Sequence, residues 1–139
     1  MRGTHDMYEN LQEVLSDFGA DIDFDNPKPG QRGWYTADLI DPEQGKIGTV
    51  TGDYRLVFER ASDGMPMVYL TEILSLKDGE VRVEAWAEFP SLSSGAWLYC
   101  PAVGISGAYL GRHGFRQWRP VELGKTAEAK IVFYTSPMS

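Results

Sequence analysis

Apolar and polar residues alternate one by one along most of this chain, the two-residue period of a strand that buries one face. The run 80–89 shows it best. Val81, Val83, Ala85, Ala87 and Phe89 fall on one face, and Glu80, Arg82, Glu84, Trp86 and Glu88 on the other. In a second run Tyr54, Leu56 and Phe58 form the inward set, opposed by Asp53, Arg55 and Glu59. Turn signals divide the pattern into strands at 34–40, 47–60, 67–76, 81–89, 96–100, 115–121 and 127–135. Asp78-Gly79, set between two alternating runs, is the strongest hairpin signal among them. The stretch 11–18 reads either as a short strand or as a helical turn, and the proline-rich segment ending at Gly30 reads as a loop. No long helical period and no internal repeat interrupts the series. Many strands at short spacing predict an antiparallel barrel or a sandwich.

Composition narrows the class. At 139 residues the chain predicts one domain with a core of useful size. Its 13 basic against 20 acidic residues give a net charge of −7, which argues against nucleic acid or an anionic membrane as partner. The one cysteine, Cys100, has no partner for an internal disulfide, which fits a reducing compartment. Residues 1–10 lack the apolar run of a signal peptide, and no segment is apolar for the length of a membrane span. A soluble cytoplasmic protein is the expectation. Trp86 and Trp97, both outward by parity, suggest a partner surface, most simply that of a symmetric dimer.

Most catalytic chemistries are poorly supplied. There are two histidines, His5 in the leader and His113 in a glycine-rich turn. Asp21, Asp23 and Asp25 alternate, but a calcium loop needs Gly and Glu where Asn26 and Arg32 stand. The run from Gly104 to Ala108 nearly spells a nucleophile elbow around Ser106, yet it lacks the final glycine and any α/β surroundings. Gly104, Gly107 and Gly111 do not have dinucleotide or phosphate-loop spacing. Cys100, on a strand before Pro101, reads as an inert buried thiol. Arg116 and Trp118 put a cation and a large ring on one strand face. Ala85 and Ala87 leave volume on an inward face, which either opens a cavity or is taken up by taper packing. An apolar aromatic cavity with one or two buried polar groups suits a lipophilic ligand, or a reaction that needs shape and little else. Pericyclic ring closure is of that kind, since freezing a flexible chain supplies up to about 7–11 kcal/mol in favourable cases.

Five stretches carry a family pattern: Gly45-x-x-Gly48-Thr49 with Gly52-x-Tyr54-Arg55, Glu84-Ala85-Trp86-Ala87-Glu88-Phe89, the glycine run Gly104 to Gly111, Gly114-Phe-Arg-Gln-Trp118, and Thr126-Ala-Glu-Ala-Lys130. In order and almost without gaps over 30–132, they resemble the spirotetronate cyclases, a Diels–Alderase family of polyketide biosynthesis. The resemblance implies an all-β, eight-stranded antiparallel barrel of the allene oxide cyclase and dirigent kind, working as a homodimer. One domain would span 1–139, with leader, first strand and lid loop in 1–30 and the main barrel in 31–135. It also implies a cofactor-free intramolecular Diels–Alder closure of a linear polyketide bearing a tetronate and a conjugated diene, in the biosynthesis of an antibiotic-like natural product.

By the same resemblance Trp118 stacks over the substrate, Arg116 pairs with Glu13 across the barrel mouth to tether a lid, and Tyr35 and Phe89 line the cavity. Tyr54 and Leu98, inward by parity, join them as substrate-contacting candidates. The departures are Leu70 where the family has a tyrosine (with Tyr69 beside it on the opposite face), Cys100 for another cavity tyrosine and Pro120 for a methionine. These make a less polar pocket with smaller side chains, and they leave the substrate and the ring formed open, a hetero-Diels–Alder closure included. Two other readings stay open. One is a non-catalytic, lipocalin-like carrier of a hydrophobic metabolite; the other is an allene-oxide-type cyclase acting on a fatty-acid epoxide.

Overall fold

The computed structural model describes residues 7–134. Eight strands follow one another: β1 (Met7–Ala20), β2 (Arg32–Asp41), β3 (Gly45–Glu59), β4 (Pro66–Leu76), β5 (Gly79–Glu88), β6 (Leu98–Gly104), β7 (His113–Glu122) and β8 (Thr126–Phe133). Each pairs antiparallel with its neighbour in sequence, and β1 also pairs with β8, so the sheet closes into an eight-stranded barrel. Closure leaves no sheet edge unpaired at that seam, which is how small all-β domains avoid edge-to-edge association. No helix among the described residues is long and apolar enough to cross a membrane.

Because consecutive strands reverse direction, the connections alternate between the two ends. Those at 42–44, 77–78 and 105–112 lie at one end; those at 21–31, 60–65, 89–97 and 123–125 lie at the other. The first end is sealed. The glycine crossing between β6 and β7 folds beneath the barrel and inserts Tyr109, which is fully buried. Tyr109 stacks on Phe133 at 4.9 Å and shares a 2.7 Å hydrogen bond with the Tyr8 hydroxyl. Ser106 has a turn role here: its hydroxyl accepts the Glu80 backbone N–H at 3.0 Å. Inward aliphatic side chains, among them Leu11, Leu39, Val50, Leu74, Val81 and Ile131, fill this half.

The alternating runs of the sequence are the strands of the barrel, with three differences. The ambiguous stretch 11–18 lies in β1, a strand of 14 residues that begins at Met7. Phe58 does not continue the inward set of Tyr54 and Leu56. The β3–β4 register shifts between Leu56 and Phe58, and such a bulge exchanges the faces of the residues beyond it. Phe58 is therefore 43% exposed and packs edge-on against the outward Trp86 at 5.6 Å. Finally, β5 ends at Glu88. Pro90 cannot donate to a ladder, and Phe89–Ser93 forms a short 3₁₀ helix instead. His5 and Thr135 lie outside the described residues.

Ala85 and Ala87 face inward as parity suggests and pack against the core, which is the taper-packing alternative of the two. The β5–β6 ladder holds only from Val81↔Gly104 to Val83↔Ala102, and both alanines stand beyond its last pair. Neither lines the main cavity. The two outward tryptophans have different partners: Trp86 packs with Tyr69 and Phe58, whereas Trp97 lies under the Arg119 guanidinium at 5.0 Å.

Candidate active site

Three charged side chains interrupt the inward rows midway up the barrel: Glu13 from β1, Glu72 from β4 and Arg116 from β7. Arg116 Nε donates to Glu72 Oε1 at 2.6 Å and Nη2 donates to Glu72 Oε2 at 3.0 Å, while Nη1 donates to Glu13. The Tyr35 hydroxyl donates to Glu72 Oε2. Gly52 makes that last bond possible. It lies between Tyr35 and Glu72 in the ladder register, and a Cβ there would stand 2.7 Å from the Tyr35 hydroxyl and 2.9 Å from Glu72 Cγ. Arg116 is wholly buried. A buried cation is tolerated only when its donors are matched, and a forked pair to one carboxylate plus a bond to a second does this.

This ionic layer is the floor of a cavity of about 760 Å³ that opens at the unsealed end. Tyr54, Leu70 and Trp118 wall it above the floor; Leu15, Phe18, Leu92 and Leu123 continue the apolar lining upward. Pro27, Pro66, Pro90 and Pro120 come from four separate stretches of the rim, where their fixed φ limits local movement. Phe24 of the 21–31 loop stacks on Phe89 at 5.9 Å, so an aromatic contact joins the β1–β2 loop to the segment after β5. The same loop is pinned to β3 by Gly30 N–H donating to Leu56 O at 2.8 Å.

Burial sets the electrostatics. It pushes the Glu13 carboxyl up; Arg116 opposes the shift and the nearby Glu72 adds to it. Burial likewise carries the Tyr35 phenol well above its ordinary value, with Glu72 reinforcing it. For Arg116 burial works against the charge, but Glu13 and Glu72 together hold the guanidinium protonated. The Cys100 thiol is pushed up to about 12, again chiefly by burial, as befits an unreactive position. Trp118 Nε1 is buried without a hydrogen-bond partner among the described residues, and the Arg116 guanidinium lies 6.0 Å from the Trp118 ring centroid.

Of the sequence candidates, Glu13, Tyr35, Tyr54, Leu70, Phe89, Arg116, Trp118 and Pro120 line this cavity, and Leu98 and Cys100 do not. In the β6–β7 ladder Cys100 faces Arg116 and Leu98 faces Trp118, and the larger side chains opposite them present to the cavity instead. The Glu13–Arg116 pair is not at the mouth. Both residues are central in their strands, so the pair ties β1 to β7 through the interior, and the loop over the mouth is held by Phe24 and backbone bonds.

Sequence reasoning missed Glu72 and Gly52. Glu72 left a signal, as the lone charge in the buried row Val68, Leu70, Leu74 and Leu76, where an unpaired carboxylate would be costly. Gly52 stood in a family motif, but its role beside Tyr35 and Glu72 left only the weaker signal of a glycine inside a strand. Asp21 and Asp23 serve the loop: Asp21 Oδ1 accepts Arg32 N–H at 2.7 Å and Asp23 Oδ1 accepts Asp25 N–H at 3.1 Å. Among the described residues no three His, Cys, Asp or Glu side chains gather as a metal-ligand set.

Residues 13–133 match the family described as the allene oxide cyclase barrel like domain. Among solved structures, AbnU, described as an exo-specific intermolecular Diels–Alderase, is similar with a TM-score of 0.83 and 31% identity, over 91% of this chain and 94% of its own. The Diels–Alderase AbmU from Streptomyces koyangensis is similar with a TM-score of 0.86 and 28% identity; the match covers 94% of this chain and 64% of that one. A cyclase described as nonspecifically heme-binding, and as catalysing a 4 + 2 cycloaddition during neoabyssomicin biosynthesis, has a TM-score of 0.84 and 28% identity over 94% of this chain and 66% of its own. A pyocyanin demethylase at 16% identity and a TM-score of 0.70 shares the fold alone. No curated protein matches the chain. Among the described residues no histidine, cysteine or methionine lines the cavity, and of the axial ligand types known for haem only tyrosine, at Tyr35 and Tyr54, reaches it.

Proposed function

The chain belongs to the family of allene oxide cyclase barrel-like domains, and we propose that it is a Diels–Alderase acting on a linear polyketide. The observation that carries this reading is the cavity: about 760 Å³, apolar in its walls, floored by a fully paired ionic layer and open at one end. Its size falls within the roughly 300–1,000 Å³ range of pockets that enclose a small-molecule ligand. Ring closure needs a diene and an alkene held face to face, and such a site supplies that by confinement. The similarity to AbnU and AbmU, both described as Diels–Alderases, supports the same chemistry.

In the finer reading a single tetronate-bearing chain closes on itself without a cofactor, as a step in natural-product biosynthesis. Trp118 stacks over the diene, and Tyr35, Tyr54, Leu70, Phe89 and Pro120 shape the remaining wall. Glu13 and Arg116 hold the floor on which the chain rests. The protein would work as a cytoplasmic homodimer, for which exposed Phe58 and Trp86, with half-buried Tyr69 beside them, offer an aromatic contact face.

Product mass tests the reading. Incubation with a linear diene-bearing polyketide should give an isomer of unchanged mass that has lost the diene absorbance. A product whose mass is the sum of two reactants would assign intermolecular addition instead. Saturable binding with no new product from any close candidate would leave the protein a carrier. Trp118→Ala should lower the rate by about tenfold or more while the barrel stays folded; an unchanged rate removes the stacking role.

A further inference from the structure

The chain has seven tyrosines, and their hydroxyls are not treated alike. Tyr8 bonds Tyr109 at 2.7 Å and Tyr99 bonds Tyr134 at 2.9 Å; Tyr35 donates to Glu72 and Tyr69 to Glu84. Tyr54 alone makes no hydrogen bond to any described residue, and burial is the one cause of its raised phenol pKa. It is nonetheless a buried residue, 8% exposed, and it lines the cavity. The hydroxyl is not among the side-chain atoms sealed off without a partner, so this mostly buried ring keeps its O–H open to the cavity, where a ligand can accept it.

The seat of Tyr54 is built for it. Gly33 and Leu70 flank it in the ladders, one inward step above Gly52 and the floor. Its ring tip lies over Gly33, where a Cβ would come within 2.4 Å of the ring and 2.5 Å of the hydroxyl. The charged groups of the floor and the other cavity phenol are committed, which leaves the Tyr54 hydroxyl and the Trp118 indole N–H as the unpartnered donors of the wall. Arg116 is matched by Glu13 and Glu72, and Tyr35 is spent on Glu72. With two carboxyl groups against one guanidinium, the floor has no spare positive charge to receive an anion.

We infer that Tyr54 is the hydrogen-bond donor to a neutral carbonyl group of the ligand, and that the cavity takes an uncharged polar head at its floor with an apolar chain toward the mouth. This rests on the cavity being the substrate site of a cycloaddition. In that reaction a phenol O–H bonded to a carbonyl conjugated with an alkene withdraws electron density from the alkene. That lowers its vacant orbital toward the filled orbital of the diene. The proton stays on Tyr54 throughout, and no covalent bond to the protein forms.

The test uses three probes of equal length: a long-chain methyl enone, the corresponding alkene and the corresponding α,β-unsaturated carboxylate. Binding is followed by tryptophan fluorescence at about pH 8, where an unsaturated carboxylate is ionised. The enone should bind about five- to tenfold tighter than the alkene, the margin of one net hydrogen bond, and the carboxylate weakest of the three. Tyr54→Phe should bring the enone down to the alkene and leave alkene binding and the melting temperature nearly unchanged. In the infrared, a carbon-13-labelled enone carbonyl should shift to lower frequency in the wild type and return in Tyr54→Phe.

An enone preference that survives Tyr54→Phe, or a carboxylate that binds tightest, overturns the inference. The cyclase reading fails separately. If Tyr54→Phe loses the carbonyl preference but the wild type forms no cycloadduct, the donor stands and the reaction falls. If cycloadduct forms and the preference is unmoved, the donor falls and the reaction stands.

Discussion

Glu72 carries more of the floor than its neighbours, because it receives two bonds from Arg116 and one from Tyr35. Without the Glu72 charge, Arg116 keeps Glu13 as its only carboxylate and loses the forked pair, and hydrogen bonds to a charged group are worth about 1.5–3 kcal/mol each. Glu72→Gln should therefore lower stability by several kcal/mol in urea denaturation, whereas Tyr35→Phe should cost only about 1–3 kcal/mol as a lost hydrogen bond. Equal effects from the two would show that Glu72 is not the hub. The same layer explains the glycine at 52: with Tyr35 and Glu72 reaching toward each other over it, no side chain fits between them.

The connection between β1 and β2 decides how open the cavity stands. Residues 21–31 cross the rim, tied by the Asp21 and Asp23 carboxylates to their own turn and by Phe24 to Phe89. Phe24 is half exposed, so its ring adds little to the core and much to the clasp. In Phe24→Ala, limited proteolysis within 21–31 should speed up several-fold with a melting temperature close to that of the wild type. Unchanged cleavage would assign the hold to the backbone bonds alone. At the other end the β6–β7 crossing has the opposite character: Tyr109 is pinned from several sides, and that end stays sealed.

Across the whole molecule, buried Glu13 gives stability a sign in pH. Its folded-state pKa lies above the ordinary 4.5 of a glutamate. A raised acid contributes stability that is full below the unfolded value and is lost as pH rises through the folded value. The stability advantage of the wild type over Glu13→Gln should therefore shrink as pH rises above 4.5, measured by denaturant titration at each pH. An advantage that grows over that range would reverse the assignment. Exposed Asp63 runs the other way: hydrogen bonds from Arg60 hold it at about 2, so its contribution fades only in strong acid. Association is a second property of this scale. Trp86 is 54% exposed within an aromatic wall on the outer face. Trp86→Lys should weaken a homodimer by at least about tenfold in sedimentation equilibrium, as loss of a central aromatic anchor does. A wild type that stays monomeric at high concentration would remove the dimer.

The sequence by itself determined the class of fold and which side of most strands faces inward. Alternation is local, and β-strand geometry translates it directly into faces. It placed Tyr54 on an inward row and Arg116 and Trp118 on one face of a strand, and five short motifs carried the family. Only the tertiary structure decided where those rows meet. The bulge after Leu56 turned Phe58 out of the barrel, and inward Ala85 and Ala87 went into core packing and not into the cavity wall. Closure of the barrel brought Glu13, Glu72 and Arg116 together from strands far apart in the chain, in mid-barrel and away from the mouth. Those outcomes depend on register and on contacts between distant strands, which no one-strand pattern encodes.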